Sequence, residues 1–406
     1  MASRGVVPIS KKSGGAELAA YQLARAIANR GHEVVLVGEV SEDDFPRVPG
    51  LTFVASGSRL LGFLRRLRGG FFVWVLQHLV GNVSVALQVR RMLRREDYDL
   101  VHAHGSLSAL LISLSTRAPL VYTEQDASPW GCRYRRWWER GIRKAIYGTL
   151  NAAAFRRADR VAVVFESLRD ELGDRWGIPL EKVTTIPNGA DADVFNPHRP
   201  SPSLVREQTD FDRYCVFVGR LTQRKGPDLV LNALAEVEGA RCVFVGDGPM
   251  RKKLEAMAQR LGVEDRVAFL GHVVATELAP IYAGAEFLVL PSVSEGTPLV
   301  AVEAMCCGTP VLATRISGLP DVVTDWKTGF LVEPGVGDAL AMAMSAFWND
   351  RELLAEMSEN AVEDARRSLL WPALAAQYAL LYEELSGTST QPVHEPASLP
   401  VATLSS

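Results

Sequence analysis

The sequence predicts an α/β protein made of two doubly wound halves that face each other across a cleft. Three observations carry this. Short apolar runs rich in valine, isoleucine and leucine alternate with stretches of helical period along most of the chain. The alternation breaks at a proline-bearing stretch, residues 196–203, and then restarts. A length of 406 residues leaves ample material for two such cores.

The first half opens with a loop, Lys11 to Gly15, and a helix over Ala16 to Asn29. Leu18, Leu23, Ala26 and Ile27 have near-helical spacing, and Gly31 closes the helix. Val34–Val37 then reads as a buried strand. Asp99–Gly105 is a strand running into a glycine turn, and Leu120–Thr123, Val161–Phe165 and Val183–Ile186 are further strands. The stretch before Ala16 is unusually poor as a first strand, since Ser3–Ile9 contains Arg4, Gly5 and Pro8.

After the linker, Cys215–Val218 is a strand and Gly219-Arg220 a turn. Helices follow at Pro227–Glu236 and Met250–Leu261. Strands are expected at Arg241–Val245, Phe269–Val273, Phe287–Leu290, Val311–Ala313 and Phe330–Val332. The domain boundaries expected from this pattern are 1–199 and 203–370, with a final helix over 371–386 packing back on the first half. Residues 387–406 are rich in serine, threonine and proline and read as a disordered tail.

Chemistry concentrates between Ser292 and Pro310. Glu295 and Glu303 lie eight positions apart across a loop-to-helix junction. Thr297 reads as the N-cap and Pro298 as the first helical residue. Leu299, Val302, Met305 and Cys306 form an apolar face, and Gly308 with Pro310 ends the helix. A helix N-terminus after a parallel strand can hold an anion on backbone N–H groups, while carboxylates grip hydroxyls beside it. A nucleotide sugar has that chemistry.

The net charge of −3 hides an asymmetry: residues 1–200 carry +8 and residues 201–406 carry −11. No acidic residue falls between Phe45 and Arg95, where nine arginines do, and a second basic block runs from Arg133 to Lys144. A basic first half implies an anionic surface or ligand there. Nucleic acid is disfavoured by the acidic second half and the lack of a nucleic-acid motif. The five cysteines show no CxxC spacing, which suits a reducing, cytoplasmic setting, and no secretory signal is visible.

In order, the chain carries Gly14 to Glu17 with Arg30 to Glu33, Val101 to His104, Ile186 to Gly189 through Phe195, Val218 to Leu221 with Lys225-Gly226, Gly246 to Pro249, and the Glu295/Glu303 pair. Together these motifs resemble the retaining GT-B glycosyltransferases of family 4, over roughly Gly14 to Leu385. The resemblance implies two Rossmann-like domains and transfer of a hexose-type sugar from a nucleotide diphosphate sugar, with no metal or other cofactor. It implies that Arg220 and Lys225 hold the donor diphosphate, as a planar fork and a point charge. Glu303 would bind the ribose hydroxyls, and Glu295 the donor sugar beside the reacting centre. Gly296 and Thr297 would offer N–H groups to phosphate. Gly15 would let backbone approach the donor, His104 would contact its sugar, and the backbone around His272 would seat the base.

His102 and His104 share one side of a strand, His102 reading better as a core histidine. Three departures from the family are visible, the first being the poor first strand at Ser3–Ile9. Gln125 stands where many relatives have a histidine, and Ser317 begins Ser317-Gly-Leu-Pro-Asp321 in place of a double glycine. The latter is expected to matter little.

The implied reaction is a front-face displacement in which a donor phosphate oxygen takes the acceptor proton. The stretch from Phe71 to Val89 is too polar to span a bilayer. With the arginines before it and Tyr134, Trp137 and Trp138, it reads either as an element lying on an anionic membrane or as a core helix with a solvated basic face. The first points to a glycan or lipid-linked acceptor in exopolysaccharide or cell-envelope synthesis, at the inner face of the cell membrane. Competing readings are a nucleotide-sugar epimerase of the same fold and an inactive membrane-associated scaffold.

Overall fold

The computed structural model describes residues 15–38, 47–56, 71–125, 148–198, 203–335 and 338–387. The expectations for Ser3–Ile9, for Arg59, Arg65, Arg66 and Arg68, for the Arg133–Lys144 block and for the tail beyond Gly387 fall outside them.

In the first half, β1 (Val34–Gly38) pairs in parallel with β2 (Leu51–Ala55). Four further parallel strands form in sequential order: β3 (Val101–Ala103), β4 (Leu120–Glu124), β5 (Arg160–Val163) and β6 (Val183–Thr185). Helices cover both faces, which is why these strands read as continuous apolar runs. Leu36, Val121 and Ala162 face the Gly15–Ala28 helix. Val37, Tyr122, Val161 and Val163 face the Phe71–Met92 and Ser106–Ser113 helices.

The second half holds a six-stranded parallel sheet: β7 (Cys215–Val218), β8 (Cys242–Val245), β9 (Val267–Gly271), β10 (Leu288–Leu290), β11 (Val311–Thr314) and β12 (Gly329–Val332). Its spatial order is β12-β11-β10-β7-β8-β9. This is the doubly wound order, and it reverses between β7 and β10. Alternate residues serve opposite faces: Val216, Val218 and Leu288 lie in one core, Cys215, Phe217 and Val289 in the other.

The chain crosses back at its end. The Trp371–Ser386 helix places Trp371, Leu374, Ala375 and Tyr378 in the same core as Tyr21, Leu23 and Ile27 of the first half. The crossing is stitched by backbone, Ala190 N–H donating to Leu369 O at 3.0 Å and Trp371 N–H to Ala190 O at 3.3 Å. Gly189 is required there, because a Cβ would stand 2.7 Å from Leu374 Cδ1 and 2.9 Å from Leu369 O.

Candidate donor-binding site

The site forms where the strand order reverses. β7 leads through Gly219 and Arg220 to a short 3-10 turn, Gln223–Lys225, and then to the Pro227–Glu236 helix. β10 leads into the loop 291–298 and the Leu299–Cys306 helix. The two loops lock together. Gly226 has φ +67°, and a Cβ on it would stand 2.3 Å from Pro291 O, so only glycine allows this approach. Val293 N–H donates to Arg224 O at 2.8 Å, and Arg224 Nη1 donates to Ser294 O at 3.0 Å.

That docking brings Lys225 Nζ to 2.5 Å from Glu295 Oε1. Ser292 Oγ donates to the same oxygen at 2.6 Å, and Thr314 Oγ1 fixes Ser292 from behind by donating to its carbonyl at 2.5 Å. Glu295 is buried, with 5% of its surface exposed. Arg220, on the same side of the cleft, is exposed and makes no side-chain bond among the described residues.

The helix start differs from the sequence expectation. The helix begins at Leu299, Pro298 is its N-cap residue, and no side chain caps it. Thr297 points elsewhere: its hydroxyl donates to Val164 O, at the end of β5 in the first half. A backbone partner across the cleft replaces the local cap. The N–H groups of Gly296 and Thr297 make no bond among the described residues.

The same loop rests on the first half at two more points. A Cβ on Gly296 would lie 2.4 Å from Gln125 O. Asn188 Nδ2 donates to Gln125 Oε1 at 2.9 Å and to Thr297 O at 3.4 Å. The amide of Gln125 is thus held by Asn188.

Glu303 lies inside the helix, buried, and Tyr282 donates a hydrogen bond to its Oε2 at 3.2 Å. No described cation pairs with it. Burial raises its carboxyl to about 7, and the tyrosine hydroxyl offsets part of that rise. Gly15 faces the start of this helix, its Cβ direction 3.8 Å from Leu299 Cδ1.

His104 stands at the end of β3 with both ring nitrogens buried and without a partner among the described residues. Burial pushes it down to about 3, so it is neutral at physiological pH. His102 is its neighbour at 4.3 Å between ring centres and belongs to the core. Its Nδ1 meets Tyr382 Oη and its Nε2 meets Thr123 Oγ1, each at 2.6 Å. His272 lies just past β9 and is exposed.

Of the residues singled out in the sequence, Lys225 and Glu295 are in direct contact, and Gly296 and Thr297 meet the first half. Gly15 faces the start of the helix that carries Glu303. No described contact ties Arg220, His104 or His272 to the others. Ser292, Asn188 and Tyr282 are supporting residues that the sequence reading missed. Asn188 was visible as part of the Pro-Asn-Gly turn; Ser292 and Tyr282 act through contacts that no local pattern announces.

Two parallel doubly wound halves, with a cation and a carboxylate facing each other at a strand-order reversal, define a two-domain transferase of the GT-B type. Known proteins give the class. The family model described as "Glycosyltransferase Family 4" matches residues 13–194, and "Glycosyl transferases group 1" matches residues 205–364. D-inositol 3-phosphate glycosyltransferase of Corynebacterium glutamicum is 31% identical over 72% of this chain and 74% of its own. The enzyme of the same name from Paenarthrobacter aurescens is 28% identical over 93% of this chain and 94% of its own. Sucrose-phosphate synthase of Thermosynechococcus elongatus shares the fold with a TM-score of 0.79 at 24% identity, covering 96% of this chain and 99% of that one. Anabaena HepE, solved in complex with UDP-glucose, does so at 0.72 and 22%, covering 95% and 99%. The chain belongs to glycosyltransferase family 4, and it is a transferase.

Proposed function

We propose that the protein transfers a hexose-type sugar, with retention, from a nucleotide diphosphate sugar to a glycan or lipid-linked acceptor. The observation that carries this reading is the contact of Lys225 with Glu295 beside the unbonded N–H groups of Gly296 and Thr297. A diphosphate fits Lys225, Arg220 and those N–H groups, and the sugar then lies beside Glu295 and His104. Ribose falls to Glu303, and the base to the backbone around His272.

In this reading the anomeric C1–O bond to phosphate breaks while the acceptor oxygen bonds C1 on the same face. The acceptor proton passes to the departing phosphate oxygen. Arg220 and Lys225 neutralise the charge that develops on the diphosphate, the task that a metal performs elsewhere. His104 lies beside the sugar in this reading as a neutral ring that adds no charge. Activity surviving a chelator supports this division of roles. The nucleotide is identified by a thermal-shift panel of UDP-, GDP- and ADP-sugars: a ligand at about 100 times its Kd adds ~2.7 kcal/mol. No shift with any of them removes the reading. NMR of the nucleotide sugar alone tests epimerisation.

The acceptor side of the reading rests on the Phe71–Met92 helix. Val85, Ala86 and Val89 are core, whereas Leu76, Leu79 and Leu87 are exposed on one stripe that continues to Arg90, with exposed Arg94 in the turn just past the helix. Among the described residues no helix is long and apolar enough to cross a membrane. A leucine stripe ending in arginines suits the surface of an anionic bilayer, where a lipid-linked acceptor resides. Cosedimentation with anionic but not neutral liposomes, lost in Leu76→Glu/Leu79→Glu, is the expected result. Equal behaviour on both lipids removes it.

A further inference from the structure

Glu303 is an unusual residue to bury. It is 7% exposed and sits in the middle of a helix whose surroundings are apolar. It has no cation partner among the described residues. The titratable groups around it are Tyr282 from the Ala275–Ala283 helix and the Cys306 thiol, with Cys307 acting on Tyr282 and Arg366 of the Arg351–Ser368 helix acting on Cys306. A carboxylate in such a place is costly unless its oxygens are satisfied. One is: Oε2 accepts from Tyr282 Oη. Oε1 has no partner among the described residues.

Tyr282 is itself held firmly. Its ring is wholly buried and meets Phe195 edge-on at 6.1 Å between centres. Its carbonyl accepts from Thr309 Oγ1 at 2.6 Å. Backbone, ring and hydroxyl are all fixed, so the hydroxyl is a rigid reference point for Glu303. The two residues come from helices on either side of β10, 21 positions apart in the chain.

We propose that Tyr282 is a positioning residue for ribose recognition: its hydroxyl ties down one oxygen of Glu303 and leaves the other free for the ribose hydroxyls of the donor. This rests on the assignment of Glu303 to the ribose made above. The tyrosine does two things in this arrangement. It restricts the carboxylate to one rotamer, and it donates to the charged form, which favours the ionised state that accepts hydroxyl protons. Losing the hydroxyl removes both, while the phenyl ring keeps the packing.

The test uses the full chain and calorimetric binding of UDP and dUDP between pH 5.5 and 8.5, for the wild type, Tyr282→Phe and Glu303→Gln. The expected result has three parts. In the wild type, UDP affinity falls as pH drops through the carboxyl titration. In Tyr282→Phe that acid limb moves to higher pH by about one unit, and UDP binds about tenfold more weakly at pH 7. Preference for UDP over dUDP shrinks in both variants, with thermal unfolding of Tyr282→Phe showing an intact fold. If Tyr282→Phe keeps the wild-type limb and preference while Glu303→Gln loses both, the tyrosine only packs and the proposal is overturned. If Glu303→Gln also keeps both, the ribose assignment itself falls, and the proposal with it.

Discussion

Lys225 and Glu295 meet at 2.5 Å from loops that follow two neighbouring strands, β7 and β10, of opposite winding. Gly226 locks the first loop against Pro291, and Ser292 donates to the same carboxylate oxygen that Lys225 meets. The pair thus preorganises a cation and an acceptor at one point of the cleft.

Removing either member is expected to cut sugar transfer at least ~100-fold, the scale of losing one charge-stabilising group. The two variants differ in stability. Lys225→Ala leaves a buried carboxylate with a serine alone and costs about 3 kcal/mol, whereas Glu295→Ala leaves a lysine that can reach solvent and costs less. Turnover assays with circular dichroism melts check this. Near-wild-type turnover in either variant refutes the assignment.

Much of this site was legible in the sequence, and the reason is physical. Strand β7 matches its expected limits because buried parallel strands are continuous apolar runs bounded by glycine turns. Strand β2 was not foreseen, since Leu51–Ala55 exposes Thr52 and Ala55 and offers only a short alternation. Thr297 was misread as a local cap because a threonine before a proline and an apolar run has that signature. Its actual partner, Val164 O, is 133 positions away. The positive φ of Ser317 was not legible either, because a backbone angle is invisible in composition.

Thr297→Val keeps the shape of the loop and removes its bond to Val164 O, leaving a buried carbonyl unpaired. The expected cost is about 1 kcal/mol of stability. Because this loop carries the N–H groups assigned to phosphate, kcat/KM for the donor falls by about tenfold. Stopped assays at several donor concentrations show it. An unchanged donor dependence means that the contact does not position the loop.

Ser317 has φ +45°, a region that L-residues other than glycine enter at a cost of about 1–2 kcal/mol. Glycine removes that cost but adds unfolded-state freedom of about 0.4–1 kcal/mol. Ser317→Gly is therefore expected to stabilise by about 0.5–1 kcal/mol, visible as a higher urea midpoint at constant slope. A lower midpoint shows that the serine is compensated.

Leu374 is fully buried between the loop at Gly189 and the core of the first half. Leu374→Ala creates a cavity and costs about 2–5 kcal/mol. Because its helix follows the second half in sequence but packs in the first, the loss is expected in both halves' unfolding. Hydrogen exchange in the Gly15–Ala28 helix accelerates if this holds, and stays at its wild-type rate if the helix is dispensable.

Glu303 sets stability against function. Its carboxyl stands at about 7 in the folded protein against the usual 4.5, raised by burial. A raised folded value means that the native state holds a proton the unfolded chain has released. The associated stability is full below pH 4.5 and is lost as pH rises through 7. The loss is about 3 kcal/mol, an order of magnitude set by 1.36 kcal/mol per unit. Glu303→Gln carries no such charge, so its stability is expected to stay level from pH 5 to 8 and to exceed that of the wild type at pH 8. The same variant binds the nucleotide more weakly. Urea titrations at a series of pH values separate the two effects: parallel pH profiles for both proteins would show that Glu303 is ionised throughout and that its burial is compensated. A flat profile joined to weak nucleotide binding would show a carboxylate kept at a cost to the fold because the ligand needs it.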